Sequence, residues 1–418
     1  MSISSTVASP GRLSQTISRR REDVARRPWT AAGLALLLVF ILAAAAWPFT
    51  RAHLEAVAVL DLVAGQPVPT GLRHVSGEPV NRREFTLATS NGPIRARLYT
   101  PVNHPDAPAL VVLHGVHHLG MDEPRLIAFA SAMSSCGLRV LTPELPGIKD
   151  YQVSSDSIRT IGDAAAWMAK DQAGVERQRA HFQTPPASIP VGVMGLSFSG
   201  GLSLLAAADP AYKQYIKFVV AIGSQDEMGR VARYYRTGED ARPGGAPELL
   251  PPHEYGALVL EYEHVEDFVP PPDIERIRAV LRAHLYEDAP AEKAAFAALS
   301  RVQHAEAMQL LDTTSPMTRG LLAAAESRHA EAMEGVSPHN HLGSLTTPVY
   351  LLHGEGDNII PASETLWMAA ELPGKTLQSA LISPVLSHLN LNGAGPSALD
   401  RWRLVHFFAL ILNAAHQK

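Results

Sequence analysis

VGVMGLSFSGG, Val191 to Gly201, runs from a short apolar strand into a helix of small residues. At the junction stands Gly195-Leu196-Ser197-Phe198-Ser199. A serine hydroxyl is a weak nucleophile and needs exposure, a neighbouring base and stabilisation of the developing anion. A sharp strand–turn–helix elbow supplies the exposure, and small residues two before and two after the serine let the turn close. The trailing position here is Ser199 rather than glycine, with Gly200 and Gly201 next. Ser197 is therefore the candidate nucleophile.

The same alternation extends outward on both sides. REFTLATS, Asn91-Gly92 and PIRARLYTP read as a β-hairpin. ALVVLHG, Ala109 to Gly115, is a continuous apolar run of the kind buried on both faces of a parallel sheet. A helix over Pro124 to Cys136 stops at Gly137 and leads to the strand LRVLTP. Another helix covers 154–171, and KFVVAIG (Lys217 to Gly223) and PVYLLHG (Pro348 to Gly354) are further strands. A last helix runs near Ser397 to Ala415. Alternating β and α units predict an α/β architecture, a doubly wound, mostly parallel sheet.

Between Gly223 and about Ser344 the alternation stops. Proline clusters and helical patterns near 273–286, 290–312 and 316–334 fill the gap. That length exceeds what a structureless loop sustains, so 224–343 is expected to be an inserted helical cap. The apolar fraction of 46% over 418 residues supports a sizeable core and excludes a mostly disordered chain. A formal charge of −5 argues against a general nucleic-acid binder. The single cysteine, Cys136, excludes an internal disulfide and any cysteine-ligated zinc or iron–sulfur site. It reads as a small buried apolar residue.

The N-terminus carries a different signal. Pro28 to Thr50 holds no charged residue, and its centre is AAGLALLLVFILAAAAW, Ala31 to Trp47. A spanning helix needs about 17–25 mostly apolar residues. Trp29 and Trp47 bracket the stretch as interfacial aromatics would. Arg19, Arg20, Arg21, Arg26 and Arg27 precede it, offset by Glu22 and Asp23. Residues 1–27 are thus expected to be a loose basic cytoplasmic tail, 28–50 a transmembrane anchor contacting the lipid bilayer, and 51–78 a stalk. A signal peptide cleaved near Ala43 to Ala46 is the competing reading. Either one exports the portion that follows, to a periplasmic or extracellular space.

Three more positions bear on chemistry. In LLHGEGDNIIP, Asp357 follows an apolar strand by a few residues, where a carboxylate can fix the tautomer of an imidazole. In LISPVLSHLNL, His388 lies between the last strand and the last helix. Asp226 or Glu227, just after the VVAIG strand, is the runner-up acid. The turn His114-Gly115-Val116 can aim a backbone N–H at an oxyanion, with Val116 and Phe198 N–H groups as the pair and His114 in a structural role. His117, His118, His339 and His341 show no companion carboxylate spacing and read as solvated or supporting residues. Glu144 to Tyr151, at a strand end, is expected to line the pocket.

Together these motifs resemble the α/β-hydrolase superfamily of serine hydrolases, from about Val80 to the C-terminus. The resemblance implies that fold, with 79–223 and 344–418 as its core and the 224–343 insertion where caps occur in the superfamily, after the sixth strand. It also implies hydrolase chemistry on a triad in the chain order Ser197, Asp357, His388. A serine at 197 argues against the dehalogenase and epoxide-hydrolase branches, whose nucleophile is an aspartate. The expected activity is hydrolysis of carboxylic esters of a small-molecule acyl substrate, with no cofactor and no metal. A peptidase, thioesterase or acyltransferase on the same triad, or a non-catalytic membrane-tethered binding protein, stay open.

Overall fold

The computed structural model describes residues 11–179, 186–386 and 397–417. The chain divides into two units, Met1–Arg51 and Ala52–Lys418. Within the first, the backbone is helical from Gly11, including residues expected as a loose tail; helix α1 as a whole is Gly11–Val63. Within Ala32–Val63 an 18-residue window reaches a mean hydropathy of 2.3, and the helix is long and apolar enough to cross a membrane or to serve as a signal sequence. Leu34, Leu36, Phe40 and Leu42 on it are exposed.

The second unit is built on eight strands. They are β1 (Val80–Thr89), β2 (Gly92–Pro101), β3 (Ala109–Leu113), β4 (Arg139–Pro143), β5 (Val191–Leu196), β6 (Ile216–Ile222), β7 (Val349–Gly354) and β8 (Leu377–Ser383). Their order across the sheet is β1-β2-β4-β3-β5-β6-β7-β8. Pairings β1–β2 and β2–β4 are antiparallel, and all others are parallel. The β1–β2 turn is Ser90-Asn91, with Thr89 opposite Gly92, whose φ of 107° only glycine tolerates easily. The central strands read as unbroken apolar runs because both faces are covered. Leu110 and Val112 join one core with Met194, Phe218, Val220 and Leu352. Val111 and Leu113 join the opposite core with Val193, Val219 and Leu351.

Helices α2 (Pro124–Ser135), α3 (Ser155–Arg179) and α4 (Phe198–Ala208) connect the strands. Residues 52–63 were expected to belong to a stalk, but their small side chains, Ala52, Ala56, Ala58 and Val59, pack into the first of these cores with α2 and the C-terminal helix. The burial of that apolar face holds them to the sheet unit. Cys136 lies in the same core, 2% exposed.

The segment between β6 and β7 contains α5 (Met228–Thr237), a two-stranded ribbon (Glu239–Asp240 with Glu248–Leu249), α6 (Glu254–Glu263) and α7 (Ile274–Leu285). It continues with α8 (Ala289–Ala297), α9 (Arg301–Leu311), α10 (Pro316–Arg328) and α11 (Ala330–Glu334). The single helix expected over 290–312 is broken in two. Ser300 forms a capping box with Gln303, which starts α9 afresh. Helix α12 (Ser363–Glu371) follows β7, and α13 (Ala398–His416) closes the chain.

Candidate active site

Strand β5 delivers Ser197 at its carboxyl end, directly before α4. Ser197 has φ 55° and ψ −137°, a conformation that a non-glycine residue enters at about 1–3 kcal/mol. Its surroundings hold it there. Its N–H donates to Ile222 O at 2.8 Å, and its carbonyl accepts from Gly200 N–H at 2.9 Å and from Ser224 Oγ at 2.7 Å. The turn closes so tightly that a Cβ on Gly195 would lie 2.3 Å from Ser199 O. That is the physical reason for glycine before the serine.

Ser199, the departure from glycine at the trailing position, is fully buried and its hydroxyl donates to His114 O at 2.5 Å. The extra hydroxyl thus ties the elbow helix to the end of β3.

The loop after β3 lies against the serine. A Cβ on Gly115 would sit 3.0 Å from Ser197 Cβ, so any larger residue there would press on the serine side chain. His114 is buried, with Nδ1 2.8 Å from Gly115 O and Nε2 accepting from Leu145 N–H at 3.0 Å. Because Leu145 can only donate, Nε2 is the acceptor and Nδ1 carries the proton. Burial pulls the His114 pKa down to about 4, so the ring is neutral. The bond to Gly115 O restrains the Gly115–Val116 peptide at its carbonyl, and through the planar peptide it bears on the direction of Val116 N–H. That N–H meets no acceptor among the described residues. Phe198 opens α4, where first-turn N–H groups have no intrahelical acceptor.

Asp357 lies beyond β7 and is 1% exposed. Its Oδ1 accepts from Ile359 N–H (2.9 Å) and Ile360 N–H (3.0 Å). Its Oδ2 is 3.5 Å from His353 Nε2. His353 is committed elsewhere, to Ile360 O and Thr365 Oγ1, each at 2.8 Å. His388 lies outside the described residues.

The runner-up acids occupy a different environment. Asp226 is fully buried, and its Oδ2 accepts from Arg230 Nη2 at 2.7 Å. Arg230 also binds Glu364 and Glu227. Burial pushes Asp226 up to about 7, with Arg230 opposing and Glu364 adding to the rise. A carboxyl so raised is a poor support for an imidazolium. His339 also reaches this cluster, and its Nδ1 contacts Glu371. Ligand atoms of Asp226, His339 and Glu371 come within 4.8 Å of one another. The carboxylates that join His339 come from distant segments, which is why sequence spacing does not reveal them. Arg230 already supplies a positive charge there.

Phe198 lines a narrow cleft together with Val153, Met228, Tyr235, Leu260 and Glu263. Glu263 accepts from Val153 N–H at 3.2 Å, and burial pushes its pKa up to about 8. At neutral pH it is mainly a neutral carboxyl in an apolar lining. His117 and His118 stack at 4.6 Å, and His118 stacks on Tyr286 at 4.4 Å. Nothing in sequence spacing flags the hydroxyl clamp of Ser199 or the bond from Tyr255 Oη to Val116 O at 2.9 Å.

The antiparallel entry pair, the parallel order that follows, the serine elbow after β5 and the glycine turn after β3 occur together. The chain has the α/β-hydrolase fold. No family model matches it. No curated protein matches it. Among solved structures, it is similar to Est1E from Butyrivibrio proteoclasticus, solved with ferulic acid bound. That match has 13% identity and a TM-score of 0.42, and covers 80% of this chain and 100% of that one. An esterase from Pyrobaculum calidifontis matches at 16% identity and a TM-score of 0.40, over 87% of this chain and 91% of that one. A 2-hydroxy-6-oxo-6-phenylhexa-2,4-dienoate hydrolase from Rhodococcus sp. strain RHA1 matches at 16% and 0.36, over 74% and 92%. At these values the assignment of the α/β-hydrolase fold rests on the chain's own strand order.

Proposed function

We propose that the protein is a serine hydrolase of carboxylic esters. The observation that carries the reading is Ser197, held at positive φ on top of β5 with the Gly115–Val116 turn against its side chain. In the proposed reaction Ser197 Oγ attacks the acyl carbonyl while His388 takes its proton. Asp357, buried and fixed by two backbone N–H groups, orients His388 and stabilises its charged form. Val116 and Phe198 N–H groups receive the oxyanion. His388 then protonates the leaving alcohol, and a water activated by the same histidine releases the acid and restores the serine. No step needs a metal or cofactor. The segment between β6 and β7 acts as the cap over this site.

Esters are preferred over amides because an amide needs more help for its leaving amine, and no charged cluster among the described residues at the elbow provides it. A panel of p-nitrophenyl esters, a thioester, an aminoacyl anilide and an alcohol acceptor separates the classes. Ester turnover lost in Ser197→Ala supports the proposal; turnover unchanged by that substitution sinks it. A histidine base further predicts that kcat/KM falls as pH drops through about 6–7.

We further propose that 28–50 anchors the chain in a bilayer with the arginine-rich flank in the cytoplasm and the hydrolase unit exported. Protease added to sealed, right-side-out cells degrades the hydrolase unit if this is right and leaves it intact if not.

A further inference from the structure

We infer that Tyr255, contributed by the cap, is a positioning residue for the oxyanion site, so that seating of the cap and catalytic geometry are coupled. The inference rests on the serine-hydrolase reading above.

Val116 sits between two peptide planes. The first, Gly115–Val116, carries the proposed oxyanion N–H and is held through its carbonyl by His114. The second, Val116–His117, is held through its carbonyl by the Tyr255 hydroxyl, which donates to Val116 O at 2.9 Å. Peptides are planar, so two clamped planes leave the Val116 Cα no free rotation. The His114 bond restrains the Gly115–Val116 plane at its carbonyl end only, so without the Tyr255 bond the following part of the loop can tilt that plane and shift Val116 N–H relative to Ser197. Angstrom-scale misplacement of such a donor is enough to lower a rate.

Tyr255 is itself delivered by a rigid support. It opens α6, where the His253 ring accepts from its N–H at 3.2 Å. The next residue, Gly256, lies so close to α5 that a Cβ there would be 2.2 Å from the Tyr235 ring. The Tyr255 ring packs 6.1 Å from Tyr151, whose hydroxyl donates to Leu285 O at 3.1 Å. Burial keeps the Tyr255 hydroxyl protonated and able to donate. Tyr151 stands in the connection after β4, but Tyr255 itself, His253 and Tyr235 belong to the insertion, so the second clamp exists only while the inserted helices are seated.

The test is Tyr255→Phe in the full chain, which keeps the ring and removes one hydroxyl. Expected is a fall in kcat of about 10-fold on a p-nitrophenyl ester, with KM unchanged. Affinity for an alkylboronic acid, which forms a tetrahedral adduct with the serine, falls by the same factor. Tyr262→Phe is the control. Tyr262 stands on the same helix as Tyr255, and the change removes its hydroxyl contacts to Asp150 and to Arg282 of α7, away from the loop, leaving kcat in place whatever it does to Tm. All rates are taken well below each variant's own Tm, so lost stability cannot imitate lost positioning. Wild-type kcat and boronate affinity in Tyr255→Phe overturn the inference while leaving the hydrolase reading intact. A wild type without Ser197-dependent turnover overturns both.

Discussion

Replacing His114 with glutamine removes a titratable group while leaving an acceptor for Leu145 N–H. The wild-type ring is buried and neutral, with a pKa of about 4 against 6.5 in the unfolded chain. The folded pKa is depressed. The stability this provides is therefore fully present above pH 6.5 and is lost as pH falls through 4. At pH 4 the unfolded imidazole is fully protonated and the folded one about half so. The 2.5-unit gap less the half-titrated folded form, at about 1.36 kcal/mol per unit, gives ~3 kcal/mol lost between pH 7.5 and pH 4. The assay is guanidinium unfolding of wild type and His114→Gln at steps across that range. Buried acids such as Asp226 and Glu263 are present in both chains and cancel in the difference. Wild type should lose ~3 kcal/mol more than the variant. Two pH profiles that run parallel would mean that His114 is not held neutral and that the clamp on the Gly115–Val116 peptide is wrongly described.

Two other substitutions probe the site. Gly115→Ala places a methyl group 3.0 Å from Ser197 Cβ, so ester turnover should drop more than 10-fold for a stability loss of about 1–3 kcal/mol, measured by kinetics beside a thermal melt. Asp357→Asn keeps an oxygen for Ile359 and Ile360 N–H but removes the negative charge, so kcat should fall by about 10²–10⁴ with the fold intact by circular dichroism.

The sheet was legible because its central strands are buried on both faces. ALVVL, VGVMG and KFVVAI need no periodicity to be recognised, since each side of them meets a core. The strand-to-helix junction at Ser197 was legible for the same reason, together with the small residues around it. Other features have no local signature. Ser199 reaches His114 across 85 residues, and Tyr255 reaches Val116 across 139. Residues 52–63 read as a stalk because alanines continue the apolar run; only the tertiary contact shows that one face is core. Inside the insertion, a capping serine such as Ser300 divides what periodicity alone presents as one helix.

The central claim is that Ser197 is an activated nucleophile, and fluorophosphonate labelling followed by peptide mass spectrometry tests it most directly. The account predicts one phosphonate adduct, on the peptide carrying Ser197, absent from Ser197→Ala and after heat denaturation. Folded protein that takes no label, or that takes it on another residue, would contradict the account.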